Sequence, residues 1–263
     1  MKRKIGVNAN CICKADIIPT IKKLHDLGVD AFFTEGADEM MGEYKRVADS
    51  LGMCYEFVHG PWRGINSFWQ EGDDYKALDA DIRKTVDLAR LSGVPTIILH
   101  ISSGWFPPAP NELGLARFDS VVDYATKSGV TVAFENLRNV ENVLLFIERY
   151  KNNDLVRYCY DSGHEYCYTP EHDFIKNFGE KLICTHVHDN FGFVDKTTDP
   201  DAHHLPFDGT LDYADMVRRL DAVAYGGSIM LEVFKSVKPE YQVLTDDEFI
   251  KTAVERARRI ANM

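Results

Sequence analysis

Apolar positions along this chain switch repeatedly between two spacings. Short runs of strand character, Ile5-Gly6-Val7-Asn8, Ala31-Phe32-Phe33-Thr34, Tyr55-Glu56-Phe57-Val58 and Thr96-Ile97-Ile98-Leu99, are each followed by a longer stretch of helical character. The first of these stretches carries Ile17, Ile18, Ile21, Leu24 and Leu27 and stops at Gly28. Others are predicted over about 38–51, ended by Gly52, over 75–91, ended by Ser92-Gly93, and up to Lys127, ended by Gly129. The second half repeats the alternation. Strands are predicted at Thr131 to Phe134, Val156 to Tyr160, from Ile183 onward and at Ser228 to Leu231. Helices are predicted over 142–150, through Phe174 and Phe178, over 213–220 and over 246–260.

Eight strand-like segments alternating with eight helical ones in 263 residues predict an α/β fold, a (β/α)8 TIM barrel that occupies residues 1–263 as a single domain. Parallel strands that neighbour one another need helical crossovers, and this rhythm supplies them. A doubly wound sheet is the competing architecture. No Gly-x-Gly-x-x-Gly follows the first strand, however, and the sequence contains no P-loop.

In a barrel the carboxyl ends of the strands converge on one rim, where the chemistry of barrel enzymes is placed. Here that rim receives Glu35, His59, His100, Glu135, Asp161 with His164, His186 with His188, and Glu232. Of the nine histidines only His25 and His172 fall away from strand ends and the loops that follow them. His186 and His188 are two apart on a strand and share a face, and Asp201-Ala202-His203 can fold back toward them. If Glu135, Asp161, Asp201 and Glu232 meet, each close pair costs about 4 kcal/mol at 4 Å and an effective dielectric of 20. Such a cluster calls for cations. Carboxylate and imidazole together suit Zn²⁺ or Mn²⁺ first and Co²⁺ or Fe²⁺ also, whereas Mg²⁺ more often takes oxygen alone. One to three ions are compatible with this donor set.

Composition changes the picture mainly by exclusion. With 45% hydrophobic and 27% charged residues the chain reads as an ordinary globular enzyme, and a net charge of -11 opposes general nucleic-acid binding. Six scattered cysteines suggest reduced thiols in a cytoplasmic protein. The basic start Met1-Lys2-Arg3-Lys4 is followed by no long apolar region, which predicts neither a signal peptide nor a membrane span. A homo-oligomer is compatible with all of this.

The motifs resemble the xylose isomerase-like barrel superfamily of sugar isomerases, epimerases and inosose dehydratases, which also contains endonuclease IV. Phe134-Glu135-Asn136 looks like that group's Glu-Asn, Asp161-Ser162-Gly163-His164 like its Asp-x-x-His, His186-Val187-His188-Asp189 like its His-x-x-Asp, and Leu231-Glu232 like its final metal-binding Glu. The resemblance implies that Glu135, Asp161, His186 and Glu232 hold one divalent metal, with His188 as the alternative to His186. It also places His59, His100, His164, Asp201 and His203 where endonuclease IV carries further zinc ligands. Two departures weigh against the nuclease: no basic recognition loops are found, and Phe207-Asp208-Gly209 replaces the usual Gly-Glu-Gly.

The function this resemblance implies is a metal-dependent isomerase or epimerase acting on a sugar, a sugar phosphate or a related polyol. Glu135 and Glu232 would serve as acid and base on opposite faces of the substrate. His164, His188 and Trp62 would contact the substrate, and Lys235 would meet an anionic group on it. Phe68 and Trp69 share the long third loop with Trp62 and are read either as sugar-facing or as packing. An endonuclease IV-like zinc phosphodiesterase and an inosose-type dehydratase are the alternatives.

Overall fold

The computed structural model describes residues 3–263, so that Met1 and Lys2 of the basic start lie outside it. Eight parallel strands form one sheet: β1 (Ile5–Asn8), β2 (Ala31–Thr34), β3 (Cys54–His59), β4 (Thr96–Leu99), β5 (Thr131–Glu135), β6 (Val156–Asp161), β7 (Leu182–His186) and β8 (Ile229–Leu231). Their order, β7-β6-β5-β4-β3-β2-β1-β8, leaves β7 and β8 as the two ends. These ends meet through a parallel bridge between Val187 and Leu231, in which the Val187 amide donates to the Met230 carbonyl at 2.8 Å. The result is a nearly closed (β/α)8 barrel.

Helices run between the strands: α1 (Ile18–Asp26), α2 (Met41–Leu51), α3 (Tyr75–Ser92), α4 (Glu112–Lys127) and α5 (Val140–Arg149). Two short helices, α6 (Ser162–Tyr168) and α7 (Phe174–Phe178), follow β6 where the sequence predicts one. The fold is completed by α8 (Tyr213–Ala222), α9 (Pro239–Gln242) and α10 (Asp246–Ala261). Caps explain several boundaries. The Asn139 side chain accepts from the Asn142 amide and starts α5 two residues before the apolar spacing does, while Thr245 and Glu248 form a reciprocal capping box on α10. No helix among the described residues is long and apolar enough to cross a membrane, and all six cysteines are unpaired.

Two apolar layers hold the barrel. Between strands and helices, Ile21 and Leu24 of α1 and Phe249, Ala253, Val254 and Ala257 of α10 are fully buried. Inside the barrel, Ala31, Phe33, Phe57, Ile98, Ala133, Cys159, Cys184 and Met230 form a separate cluster. Each large side chain in it contributes roughly 1.5–3 kcal/mol by leaving water. The bulky members Phe33, Phe57 and Ile98 come from three neighbouring strands, β2 to β4, and the small ones Ala133, Cys159 and Cys184 from the next three, β5 to β7. At Gly6 on β1 an added Cβ would overlap the Met230 thioether, so the glycine makes room for Met230 to fill the barrel floor.

Candidate metal centre

Strand alternation carries the interior pattern directly into the rim. Two residues beyond Phe33, Phe57, Ile98, Ala133, Cys159, Cys184 and Met230 stand Glu35, His59, His100, Glu135, Asp161, His186 and Glu232. A period of two keeps each pair on one face, so seven strands deliver a donor above the apolar floor. The floor supports them by contact: the His186 ring stacks on Phe33 at 5.0 Å and lies 5.4 Å from Phe57.

Glu135 sits at the middle of this layer. Its Oε1 lies 2.8 Å from His186 Nδ1, and its Oε2 lies 2.9 Å from His100 Nε2 and 3.6 Å from His59 Nε2. His186 Nδ1 is also 3.4 Å from a Glu232 oxygen and 3.9 Å from Asp161 Oδ2. Beside this group, Asp201 Oδ2 lies 3.2 Å from both His164 Nε2 and His203 Nε2, and Asp201 Oδ1 is 3.5 Å from His188 Nε2. Four sets of donor atoms therefore fall within 4.8 Å of one another among the described residues: Glu135, Asp161, His186 and Glu232; His164, His188, Asp201 and His203; His59, His100 and Glu135; and His59, His186 and Glu232.

Backbone carbonyls orient the rings. His59 Nδ1 faces Gly60 O at 2.8 Å, His164 Nδ1 faces Asn136 O at 3.0 Å, and His203 Nδ1 faces Glu232 O at 3.1 Å. A neutral imidazole that donates from Nδ1 turns the lone pair of Nε2 into the cluster, as a metal ligand requires.

The charges are not settled by the protein alone. Burial together with Glu35, Glu135, Asp161 and Asp201 pushes the Glu232 carboxyl well above its usual range. Glu135 is held well below it, since His186, His100 and His59 outweigh its burial. His164 rises to about 10 and His203 to about 9, because Asp161 and Asp201 overcome burial for the first and Asp201 for the second. Burial drives His100 down to about 4. Several polar atoms are meanwhile buried without hydrogen-bond partners: Asp161 Oδ2, Asp201 Oδ1, His186 Nε2 and both nitrogens of His188. Orphaned acceptors of this kind are costly unless a cation completes them, so the donor set fits one or more divalent ions. Binding would release the protons now held on this cluster.

The loop that returns Asp201 and His203 is fixed from Asp189, a residue to which the sequence reading assigns no role. Asp189 is fully buried; its Oδ1 accepts from the Asn190 and Leu211 amides at 2.9 and 3.1 Å and its Oδ2 from the Phe207 amide at 2.8 Å. A two-way backbone bridge between Asp189 and His204 turns the chain, and His203 takes a positive φ of 45° just before it. Asn136 does the same for the neighbouring strands, donating to Asp161 O at 2.8 Å and accepting from Tyr158 and from the Asp161 amide. Both residues close motifs quoted above, Glu135-Asn136 and His186-Val187-His188-Asp189, but nothing local in those motifs announces that their last residue braces the backbone.

Asp208, in the unusual Phe207-Asp208-Gly209, anchors the far end of this loop. It accepts from Tyr241 at 2.5 Å and pairs with Arg256 at 2.6 Å. Burial works against its ionisation, but Tyr241 and Arg256 outweigh it and hold the carboxyl below its usual value. A depressed folded pKa gives stability that is complete above the unfolded value of about 3.9 and is lost as pH falls through the folded one. The stability difference between the parent and Asp208→Asn, read from urea melts, is therefore expected to be full above about pH 5 and to shrink as pH falls through the depressed folded value.

A cavity of about 450 Å³ opens over the cluster and is lined by His59, His100, Glu135, His164, Asp201, His203 and Glu232 together with Trp62, Arg63 and Arg138. Trp62 stacks on His100 at 5.4 Å and remains 38% exposed. Other expected contacts go elsewhere. His188 is fully buried, does not line the cavity and joins the Asp201 group. Lys235 is not brought to the site, since its Nζ pairs with Asp246 at 2.7 Å on α10. Phe68 and Trp69 turn inward and pack on Phe118. His204 lies outside the cluster, between Phe191 and Tyr241. Arg138 is a cavity residue that sequence reasoning missed. Its guanidinium lies 4.0 Å from the Tyr168 ring centre and pairs with Asp199 at 2.7 Å.

Residues 21–256 match the family described as xylose isomerase-like TIM barrel. Protein y4fM of Sinorhizobium fredii is 31% identical over 195 residues, a match that spans 69% of this chain and 60% of that relative's length. Among solved structures, a D-allulose 3-epimerase from Methylomonas sp. superimposes with a TM-score of 0.74 at 17% identity, covering 99% of each chain. A D-psicose 3-epimerase from Clostridium cellulolyticum H10, solved with D-tagatose, does so with a TM-score of 0.73 at 18% identity, covering 98% of this chain and 97% of the other. At these identities the two structures show a shared fold.

Proposed function

The chain belongs to the xylose isomerase-like TIM barrel family, and from that premise we propose that it is a divalent-metal-dependent epimerase or isomerase of a ketose or a closely related polyhydroxylated substrate. The observation that carries this reading is the pairing of Glu135 with Glu232. They come from β5 and from the end of β8, line one cavity and flank His186, at 2.8 and 3.4 Å. In the protein without metal their environments push the two carboxyls in opposite directions, Glu135 down and Glu232 up. Glu135 takes a proton from the carbon next to the substrate carbonyl. Glu232 supplies one from the other side, which inverts that carbon, or to the neighbouring carbon, which moves the carbonyl.

Glu135, Asp161, His186 and Glu232 would hold the ion. When bound, a divalent cation supplies Lewis-acid polarisation of the carbonyl and offsets the negative charge that develops on the substrate oxygens. Trp62 offers an apolar face to the sugar ring, and His164 and Arg138 offer donors to its hydroxyls. The names of the two superimposable epimerases support the choice of substrate class.

The donors His164, His188, Asp201 and His203, and the set His59, His100 and Glu135, favour a second reading, a hydrolase of phosphate esters with two or three zinc ions. Metal content by elemental mass spectrometry, paired with assays on D-fructose, D-allulose and D-tagatose, separates the two. The proposal expects ketose interconversion that disappears when a chelator strips the protein and returns with Mn²⁺ or Co²⁺. Re-added metal at 100 times its Kd is expected to stabilise the fold by about 2.7 kcal/mol in thermal melts. Two or three zinc ions per chain, with phosphodiester cleavage and no ketose turnover, would select the hydrolase.

A further inference from the structure

The cavity over the metal centre does not end at Trp62. On the other side of that residue lies a lateral groove of about 640 Å³, bounded by the loop after β2, the loop after β3 and the outer turns of α3. The groove and the cavity share Glu35, His59, Trp62, Arg63 and Phe234, so they are two compartments of one cleft. The inner one alone reaches the size that holds a drug-sized ligand, and a single hexose is well below that size.

The lining of the groove has the character of a sugar subsite. Trp62 and Phe234 line both compartments, Ala37 and Leu88 add apolar surface, and Asp81 and Lys84 add an acid and a base, the latter paired with Glu39 at 2.9 Å. The groove therefore carries hydrogen-bonding groups of both signs, which suits an uncharged ring bearing hydroxyls better than an anion. Among the described residues neither the Arg63 guanidinium nor the Asp81 carboxylate makes a side-chain hydrogen bond or an ion pair. Arg63 lies 5.8 Å over the Trp62 ring, and Asp81 is exposed on α3.

We infer that the protein acts on a two-part substrate, a ketose bearing a second sugar unit, with the reacting ketose over the metal centre and the second ring in the groove beyond Trp62. This rests on the ketose reading above and adds the class of substrate. The probes are D-fructose and three disaccharides, maltulose, leucrose and isomaltulose, which carry a glucosyl group on the fourth, fifth or sixth oxygen of fructose. Turnover and binding are read separately, by product analysis and by titration calorimetry on the metal-loaded protein.

At least one disaccharide is expected to exceed fructose by about tenfold or more in kcat/KM and in affinity, a difference that a filled second subsite readily supplies. Ala37→Trp, which fills the groove, is expected to lower that disaccharide-to-fructose ratio by about tenfold or more. Asp81→Ala, a milder change at an exposed helix position, lowers it severalfold and decides the matter if the tryptophan variant fails to fold. Preferential disaccharide binding without turnover of any probe would uphold the groove and discard the ketose reading. Equal use of fructose and disaccharides, a ratio unmoved in the variants, or no binding of any of the four sugars would overturn the inference.

Discussion

Glu232→Gln is expected to abolish metal retention and to lower kcat/KM on the ketose substrate by about 10³-fold or more, inside the range of about 10²–10⁴ that a positioned acid or base contributes. The same change is expected to leave the metal-free protein as stable as the parent. Glu232 is 4% exposed, and burial together with Glu35, Glu135, Asp161 and Asp201 pushes its carboxyl well above the usual range, toward the neutral acid. Glutamine reproduces the size and neutrality of that protonated acid. What it cannot reproduce is the anion that a divalent ion needs as ligand.

Glu135→Gln should behave differently. The two Glu135 oxygens face His186 Nδ1 at 2.8 Å and His100 Nε2 at 2.9 Å, and an amide in their place turns a donor toward one of these buried ring nitrogens and breaks that contact. That variant is expected to melt earlier than the parent even without metal. Chelator-treated and manganese-loaded melts of both variants, with elemental analysis of each, read these signs together. A Glu232→Gln protein that keeps its metal and its turnover would remove Glu232 from the centre.

Gly163→Ala is expected to lower stability by about 1–3 kcal/mol, as overpacking does, and to disrupt the Asp201 donor group. Gly163 lies in the first turn of α6, and an added Cβ would overlap the His188 imidazole. Helix propensity predicts the opposite, since alanine is favoured over glycine by about 1 kcal/mol in a helix interior. Any loss therefore reports on His188. The ring has little freedom to move away, because it is fully buried, stacks on His203 at 4.1 Å and lies 3.2 Å from Asp161. Truncating it should relieve the clash, so Gly163→Ala is expected to be nearly neutral in a His188→Ala background. Urea melts of the two single variants and the double variant measure this coupling. Additive effects would show that Gly163 and His188 do not oppose one another.

Much of the site was legible in the sequence because it obeys a local rule. A residue two places beyond an inward apolar side chain also points inward, so Phe57 with His59, Ala133 with Glu135, Cys159 with Asp161 and Met230 with Glu232 can be read as a floor and a rim without coordinates. The barrel follows in the same way. Alternation between two apolar periods predicts parallel strands joined by helices, and the structure has them in one nearly closed sheet.

Tertiary structure decided what no local period carries. Asp201 and His203 were expected near His186 and His188, but the reason they return is the bracket that Asp189 places on the Asn190, Phe207 and Leu211 amides. Lys235 was read as a substrate contact and is instead paired with Asp246, while Phe68 and Trp69 left the third loop for the core. His188 went beneath the cavity, where only a glycine at 163 leaves room for its ring. Arg63, Arg138 and the groove beyond Trp62 came together from loops that are distant in the chain. Side-chain alternation along a strand is fixed by neighbouring residues, whereas the path of a loop is fixed by long-range hydrogen bonds and packing. The sequence therefore determined the fold and the donors at the strand ends, and the folded chain alone determined the loop donors, their grouping and the shape of the cleft above them.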